Sequence, residues 1–486
     1  MSLRDKTISG VIWSGLGTLG SSAVGFIIMM ILARYLTPED FGVIEIIISI
    51  VAISEVLVDC GFSQAIIREK SLSDKELSTV FHLNVLIAAI LYSIFFFVAP
   101  ILTSFYEAKS DFTIIFRVLS LKMILDSLSV TQIANCTRKM EFKTISIVTF
   151  VSIVLASVLS VVGVKMELGI WAIVIYYLSL SFFKAVLIYA KTRWAPSLCF
   201  EWGVIKKYFG FGGTIMSIQI IDKAITSIES LSVGRVFSKA QLGLFSQARK
   251  FDAMVIQTML SVVQKVCYPA LAQVEGDERL KTAYKTIMQM AMWVICPIAL
   301  FSLFNAETFM AVVFGEQWID AAVYLRIFSM HSLIIPLFFI CWNVFLVKGE
   351  TKLLFKITVF KQSFRLIVLA ITLHLGLEAV ALGIVLVMIV TSLVYIFYGG
   401  KLIDYKLFDI IKDNMSTFLC SFFAVVSSSI VVRIMIGAGG TQLILFVLQA
   451  SIAFCVYLLL SNTSKNYAYQ QLMSIGKVYI KKILRK

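Results

Sequence analysis

Long apolar runs alternate with short polar connections along nearly the whole chain. Runs of about 17–25 apolar residues are long enough to cross a bilayer as helices. They fall at 11–33, 41–58, 79–104, 112–135, 145–164, 170–190, 208–233, 241–268, 287–304, 322–347, 357–376, 379–398, 415–436 and 443–461. The pattern therefore predicts an all-α polytopic membrane protein with about 14 transmembrane helices.

Composition supports a membrane protein and excludes several other classes. Of the 486 residues, 59% are hydrophobic and only 15% are charged, whereas soluble domains carry about 25% charged residues. A disordered chain and a nucleic-acid-binding protein are both excluded. The net charge of +14 is instead informative about topology.

Lysine and arginine are unevenly distributed between the two sets of connections. One set consists of the connections on the side of the membrane opposite the chain ends, and it holds only Arg34, Lys109, Lys165, Arg235 and Lys239. The alternate connections and the chain ends hold Arg4, Lys6; Arg68, Lys70, Lys75; Arg138, Lys139, Lys143; Lys191, Arg193, Lys206, Lys207; Arg279, Lys281, Lys285; Lys348, Lys352, Lys356; Lys401, Lys406, Lys412; and Lys465, Lys477, Lys481, Lys482, Arg485, Lys486. Because basic loops stay in the cytoplasm, this distribution predicts that both termini are cytoplasmic.

The hairpin motif that lies between the first two helices recurs later in the chain. Arg34 to Gly42 reads RYLTPEDFG, and 201 positions later Arg235 to Gly243 reads RVFSKAQLG. In the first copy Thr37 is a good N-cap and Pro38 a good first helical residue, so a new helix is predicted to begin there. The spacing suggests an internal duplication.

A second repeat supports the duplication. Arg117-x-x-Ser120-x-Lys122 in helix 4 recurs 209 positions later as Arg326-x-x-Ser329-x-His331 in helix 10, and Lys139-x-Glu141-x-Lys143 recurs as Lys348-x-Glu350-x-Lys352. We predict an N-lobe of helices 1–6 (1–205), a C-lobe of helices 7–12 (206–400), and helices 13–14 with a basic cytoplasmic tail (401–486). Because each copy has six helices, the lobes should share orientation and be related by a pseudo-twofold axis along the membrane normal.

Several ionisable residues lie within the predicted spans, where each costs several kcal/mol unless it faces protein or water. The densest group lies on helices 7 and 8: Asp222, Lys223, Glu229, Arg249, Lys250 and Asp252. Such a group fits a water-filled cleft between the lobes whose positive charge would suit a phosphate or pyrophosphate. The alternative is a charge network that only holds the lobes together. Its carboxylates, Asp222, Glu229 and Asp252, are candidates for binding a coupling H+ or Na+.

Other charges in the spans have simpler interpretations. Lys122 and Asp126 are one turn apart in helix 4, so they either neutralise each other or serve a site. Lys265, Arg365 and Arg433 are interpreted as snorkelling towards helix ends. Glu45 and Glu55 on helix 2 are weaker candidates for ion coupling.

Motifs for catalysis or metal binding are missing from the sequence. The eight cysteines form no C-x-x-C pair, and the three histidines are widely spaced, so no metal site is predicted. There is no G-x-S-x-G, Walker loop or H-E-x-x-H motif. Gly210-Phe211-Gly212-Gly213 lacks a following G-K-[ST], and close packing or a hinge explains it better.

Four segments together resemble the Wzx branch of the multidrug/oligosaccharidyl-lipid/polysaccharide exporter superfamily. They are LARYLTPEDFG at 32–42, DCGFSQAIIR at 59–68, LGLFSQARKF at 242–251 and YPAL at 268–271. The resemblance implies a polysaccharide flippase, not an enzyme, that moves an undecaprenyl-diphosphate-linked oligosaccharide between leaflets by alternating access, driven by a cation gradient. Related lipid II flippases carry a functional arginine at the position that Lys250 occupies here. Lysine keeps the charge but loses the bidentate fork, so Arg249 is an equal candidate.

The predicted substrate site follows from these observations. We expect the diphosphate to lie against Arg249, Lys250 and Lys223, with Arg117 and Arg326 as lobe-equivalent charges. The expected partners are the lipid-linked oligosaccharide, membrane lipids and the polysaccharide polymerase machinery, and no cofactor besides coupling H+ or Na+ is expected. A multidrug antiporter of the same fold is the alternative, supported by Asp222 and Glu229. A polymerase or ligase is disfavoured because the outer connections are short.

Overall fold

The computed structural model describes residues 3–69, 71–272, 277–435 and 442–474. Lys70 and the basic tail from 475 onward lie outside these ranges. The helices are α1 (Leu3–Tyr35), α2 (Pro38–Asp59), α3 (Phe62–Arg68), α4 (Asp74–Phe105), α5 (Asp111–Arg138), α6 (Phe142–Lys165), α7 (Trp171–Thr192), α8 (Trp202–Val236), α9 (Lys239–Ala272), α10 (Asp277–Phe304), α11 (Ala306–Val313), α12 (Ala322–Val347), α13 (Thr351–Thr372), α14 (Leu377–Ile403), α15 (Leu407–Met435) and α16 (Gln442–Thr463). A 3-10 turn at Glu316–Ala321 precedes α12.

The predicted all-α fold is confirmed. Each of the predicted spans coincides with a long helix, and the described ranges add only the short helices α3 and α11 to that set. Ten of the long helices are apolar enough to cross a membrane over their described residues. The long helices outside that group are α5, α8, α9 and α13, which carry many of the charges found within spans. Charge in this multi-pass membrane protein is therefore concentrated on a few helices.

Two compact units divide the chain, Met1–Ser246 and Gln247–Lys486. The boundary falls inside α9, whereas the sequence repeat divides between 205 and 206. The two units are defined by how the helices pack, whereas the lobes are defined by the sequence repeat. The packing therefore does not test the lobe boundaries, which stay a prediction. The first unit includes α8 because that helix packs along α2 and also contacts α3 and α4.

In the first unit, α6 packs on α1 and α7, and α5 packs on α4 and α7. An apolar cluster holds α3 against the start of α8, with Phe62, Ile66 and Tyr208 as buried members. In the second unit, α12 packs on α10 and α14, and α15 packs on α10 and α16. Its core contains Tyr284, Phe345 and Tyr395. Each unit thus has its own buried core.

The repeated hairpins have the same capping geometry. Thr37 and Asp40 exchange hydrogen bonds at the start of α2, with Oδ2 of Asp40 accepting from the Thr37 amide at 2.9 Å. At the start of α9, Oε1 of Gln241 accepts from the Ser238 amide and Oγ of Ser238 accepts from the Gln241 amide, each at 3.1 Å. The predicted cap at Thr37 is confirmed, and the second hairpin satisfies its first amide groups in the same way.

The two hairpins contact each other through their glycines, all within the first unit. A Cβ atom on Gly42 would lie 1.8 Å from the carbonyl oxygen of Lys239, and one on Gly243 would lie 1.8 Å from that of Pro38. Real Cβ atoms never approach an oxygen so closely, so only glycine allows this contact. Ion pairs surround it, between Arg235 and Glu107 and between Lys109 and Glu39, each at 3.0 Å.

A second glycine contact lies at the other end of α2. Gly61 has a φ of 70°, and a Cβ there would lie 2.1 Å from the carbonyl oxygen of Gly212 in α8. The interpretation of Gly210–Gly213 as a close-packing segment is confirmed at Gly212. Lys207 of α8 adds ion pairs to Glu76 at 2.9 Å and Glu69 at 3.4 Å. Next to Gly61, burial raises the pKa of the Cys60 thiol to about 11, so this thiol stays protonated at neutral pH.

Candidate functional site

A cavity of about 140 Å³ in the second unit brings together charges from three helices. Arg249 and Asp252 of α9 line it, together with His331 of α12 and Lys361 and Arg365 of α13. We call it the cationic cavity, because three basic side chains accompany one carboxylate. Arg249 and Asp252 are both predicted site residues, and the structure places them in one cavity.

Asp252 is held firmly at the wall of the cationic cavity. Its side chain is 3% exposed, and Nδ1 of His331 lies 2.9 Å from its Oδ2. The hydroxyl of Ser332 donates to its other oxygen. Both carboxylate oxygens therefore have protein partners. The three basic side chains outnumber this carboxylate, so the charged residues that line the cavity carry a net positive charge, which favours an anion.

The basic groups of α13 complete the cationic cavity. Lys361 and Arg365 are four residues apart, so they project from one face of the helix. The ammonium of Lys361 also lies 4.4 Å from the ring centroid of Phe338, a cation–π contact. The sequence analysis interpreted Arg365 as snorkelling towards a helix end, whereas the structure places it in the lining of the cationic cavity. Its role could not be recognised from the sequence because Arg249 is more than a hundred residues away.

A second cavity of the same unit is almost entirely apolar. It encloses about 350 Å³ between α9, α10, α11, α15 and α16, and we call it the apolar cavity. Its lining includes Phe251 of α9, Trp293 and Phe301 of α10, and Ala450 and Phe454 of α16. Helices α15 and α16, which lie outside the predicted duplication, therefore build one of its walls.

One turn of α9 serves both cavities. Arg249 and Asp252 are three residues apart and share a face of the helix, whereas Phe251 points about 200° away from Arg249. Accordingly, the first two line the cationic cavity and Phe251 lines the apolar cavity. A charged compartment and an apolar compartment thus flank the same segment of backbone.

The first unit contains a cavity of about 290 Å³ with a different set of charges. Glu55 and Asp59 of α2, Asp126 of α5 and Lys184 of α7 line it, and we call it the mixed-charge cavity. Lys122 bridges Glu55 and Asp126 through an ion pair to each. The predicted ion pair between Lys122 and Asp126 is observed, and Glu55, 67 positions away, is the partner that the sequence could not reveal.

In each unit, the last position of the repeated Arg-x-x-Ser motif pairs with a carboxylate of another helix. In the first unit, Lys122 of α5 pairs with Glu55 of α2, and in the second, His331 of α12 pairs with Asp252 of α9. Lys122 and His331 are the matched last positions of the repeated Arg-x-x-Ser motif. The serines of that motif also bond alike, since Ser120 donates to Phe116 and Ser329 to Leu325. The repeated motif therefore makes similar contacts in both units.

The lobe-equivalent arginines have other contacts. Arg117 donates from Nε to the Phe96 carbonyl at 3.0 Å, and its guanidinium lies 4.1 Å from the Phe96 ring centroid. Arg326 pairs with Glu307 at 2.8 Å on an exposed surface. Neither is among the residues that line the cavities described above. Their assignment to a diphosphate site stays a prediction.

The remaining predicted residues lie on α8 and α9. On α8, Asp222 is exposed, Lys223 is half-buried and Glu229 is buried. Lys250 is half-buried on α9 beside Arg249, and it is not among the described residues that line the cationic cavity. Their roles in substrate binding or ion coupling stay predictions. Within the described ranges, no group of three histidine, cysteine, aspartate or glutamate residues could hold a metal ion.

Comparison with known proteins agrees with the resemblance found in the sequence. A family model described as "Polysaccharide biosynthesis protein" matches residues 31–323. The chain is 22% identical over 357 residues to the teichuronic acid biosynthesis protein TuaB of Bacillus subtilis, covering 73% of this chain and 74% of that protein. It is 23% identical over 401 residues to the lipopolysaccharide biosynthesis protein WzxC of Escherichia coli, covering 82% and 81%. The resemblance to the Wzx branch is confirmed.

The fold also matches a solved structure along nearly its whole length. Lipid II flippase MurJ in an inward closed conformation superposes with a TM-score of 0.72 at 15% identity, covering 95% of this chain and 100% of that one. At this identity the match concerns the fold alone. It confirms the predicted all-α transporter fold.

Proposed function

Because the chain belongs to the family of polysaccharide biosynthesis proteins, we propose that it is a flippase for a lipid-linked polysaccharide repeat unit. It moves an undecaprenyl-diphosphate-linked repeat from the cytoplasmic to the outer leaflet of a bacterial cytoplasmic membrane by alternating access. The relatives act in teichuronic acid and lipopolysaccharide biosynthesis, as their names state.

One observation carries the proposal: a charged and an apolar cavity flank the same turn of α9. A polyprenyl diphosphate has the matching division, since it joins a strongly anionic group to a long hydrocarbon chain. Arg249 and Arg365 offer planar donor forks for phosphate oxygens, and Lys361 adds a point charge. The apolar cavity offers aromatic and aliphatic walls to the first isoprene units.

The charge of the cationic cavity distinguishes this proposal from multidrug antiport. Three basic side chains would repel the cationic drugs that such antiporters export, whereas they favour a diphosphate. The anchoring of Asp252 by His331 and Ser332 further reduces its capacity to bind a cationic ligand. The flippase is therefore the better supported function.

Topology and coupling complete the proposal. The distribution of lysine and arginine supports cytoplasmic termini. Coupling to H+ or Na+ would use Asp222 or Glu229, since carboxylates within spans can bind either cation, and coupling to H+ could also use protonation of Asp252. Besides its lipid-linked substrate and membrane lipids, the expected partner is the polysaccharide polymerase machinery that consumes the flipped repeat.

Filling the apolar cavity should weaken lipid binding. Ala450→Phe introduces a ring into the cavity, so the affinity of the purified protein for undecaprenyl diphosphate should fall about 10-fold. The matched control is Leu459→Phe on the same helix, because Leu459 is 64% exposed and lines no described cavity. Binding is measured by fluorescence quenching in lipid nanodiscs. Unchanged affinity in a folded Ala450→Phe protein would contradict the assignment of this cavity.

A further inference from the structure

The mixed-charge cavity of the first unit has no role in the function proposed so far. Its polar groups are incompletely satisfied by the protein. Lys122 occupies Oε1 of Glu55 and Oδ2 of Asp126, and the other oxygen of each carboxylate has no hydrogen-bond partner among the described residues. The half-buried Lys184 likewise makes no hydrogen bond or ion pair within the part of the chain that the structure describes. Acceptors and a donor therefore face one space.

Hydroxyl groups add to this polar lining. Ser63, Ser127, Ser129 and Thr137 border the cavity. Each donates its proton to a protein oxygen, for example Ser127 to the Ile124 carbonyl at 2.7 Å and Thr137 to the Ile133 carbonyl at 2.8 Å. Their oxygens remain able to accept hydrogen bonds from a ligand.

Charge restricts the class of ligand that the cavity can take. Glu55, Asp59 and Asp126 would repel a diphosphate, in contrast to the basic residues of the cationic cavity. Lys122 and Lys184 oppose a simple cation, and the described residues include no cluster with the geometry of a metal site. An isoprenoid chain would leave these polar groups unsatisfied, which is costly inside a membrane protein. A neutral ligand with many hydroxyl groups satisfies them all, because each hydroxyl both donates and accepts.

We propose that the mixed-charge cavity is a sugar subsite that binds hydroxyl groups of the substrate's saccharide. This inference rests on the proposed flippase function and names the part of the substrate that this cavity of the first unit would take.

The test compares two lipids that differ only in the saccharide. One is undecaprenyl diphosphate, and the other is the same lipid bearing the repeat unit, isolated from cells that lack this protein. Lys184→Met and Asp126→Asn should each weaken binding of the sugar-bearing lipid about 10-fold, the effect of one or two hydrogen bonds to charged groups. Both should leave the affinity for undecaprenyl diphosphate within about twofold. Lys191→Met, exposed on the same helix and outside the cavity, is the control and should change neither affinity.

Each other outcome overturns the proposal. An equal loss for both lipids would make the cavity part of the anion site, and no loss for the sugar-bearing lipid would remove the cavity from substrate binding. Thermal stabilisation by Na+ that disappears in Asp126→Asn, with both lipids bound normally, would assign the cavity to a cation. A wild-type protein that binds both lipids equally would overturn the sugar subsite alone. A wild-type protein that binds neither lipid would overturn the proposed function, and the subsite with it.

Discussion

Replacing Arg249 with alanine should lower the rate of repeat-unit export by about 10- to 100-fold, because a charge-assisted bidentate contact to phosphate is worth roughly 1.5–3 kcal/mol. The side chain lines the cationic cavity together with Asp252, Lys361 and Arg365. Without Arg249, the cavity keeps some positive charge but loses a planar guanidinium group that can form a bidentate contact with phosphate. Export is measured as surface polysaccharide restored to a deletion strain, and as the lipid-linked intermediate that accumulates in it.

Arg249→Lys and Arg279→Ala serve as comparison variants for that experiment. Lysine keeps the charge and loses the fork, so Arg249→Lys should fall between the wild type and Arg249→Ala. Arg279 is exposed near the start of α10 and lines no described cavity, so its replacement should have no effect. Full restoration of surface polysaccharide by Arg249→Ala at equal expression would remove this arginine from the site.

Gly42→Ala and Gly243→Ala should each destabilise the folded protein by about 1–3 kcal/mol, the usual effect of overpacking. Each added methyl would lie 1.8 Å from a carbonyl oxygen of the opposite hairpin, so the backbones must separate. The two changes should not be additive, because one separation relieves both clashes. The double variant should therefore be about as stable as the less stable single variant, as judged by thermal unfolding in detergent.

The control for the hairpin variants is another helical glycine. A Cβ on Gly25 of α1 would meet nothing within 4 Å, so Gly25→Ala should leave stability unchanged or raise it by up to about 1 kcal/mol. Wild-type stability for both hairpin variants would contradict the close contact between the hairpins. Fully additive losses would show that the two glycines act independently.

The helices could be predicted from the sequence because apolar length is a strong local signal. The cap at Thr37 could also be predicted, since its partner Asp40 is three residues away. The contact between the two hairpins could not be predicted, although the repeat identified both hairpins in the sequence. Glycine is compatible with a turn, a hinge or a close contact, and the sequence does not distinguish them.

The site was predictable in part, for a similar reason. Arg249 and Asp252 were recognisable because charges within a span are costly. His331, which pairs with Asp252, and Lys361, which lines the same cavity, lie on other helices, and only packing brings them together. Likewise, Asp126 is one turn from Lys122, whereas Glu55 reaches Lys122 across the unit. Patterns within one helix could be recognised from the sequence, whereas contacts between helices could be identified only from the structure.

The most direct test of the flippase function is transport by the purified protein in proteoliposomes. Undecaprenyl diphosphate carrying a fluorescently labelled repeat unit is placed in both leaflets, and dithionite added outside quenches only the label that it can reach. The wild-type protein should allow nearly complete quenching, and liposomes without protein should retain the label of the inner leaflet. Liposomes with Arg249→Ala should lose that label about 10- to 100-fold more slowly than the wild type. Wild-type liposomes that retain this label while transporting a cationic dye would contradict the flippase function and favour a multidrug antiporter.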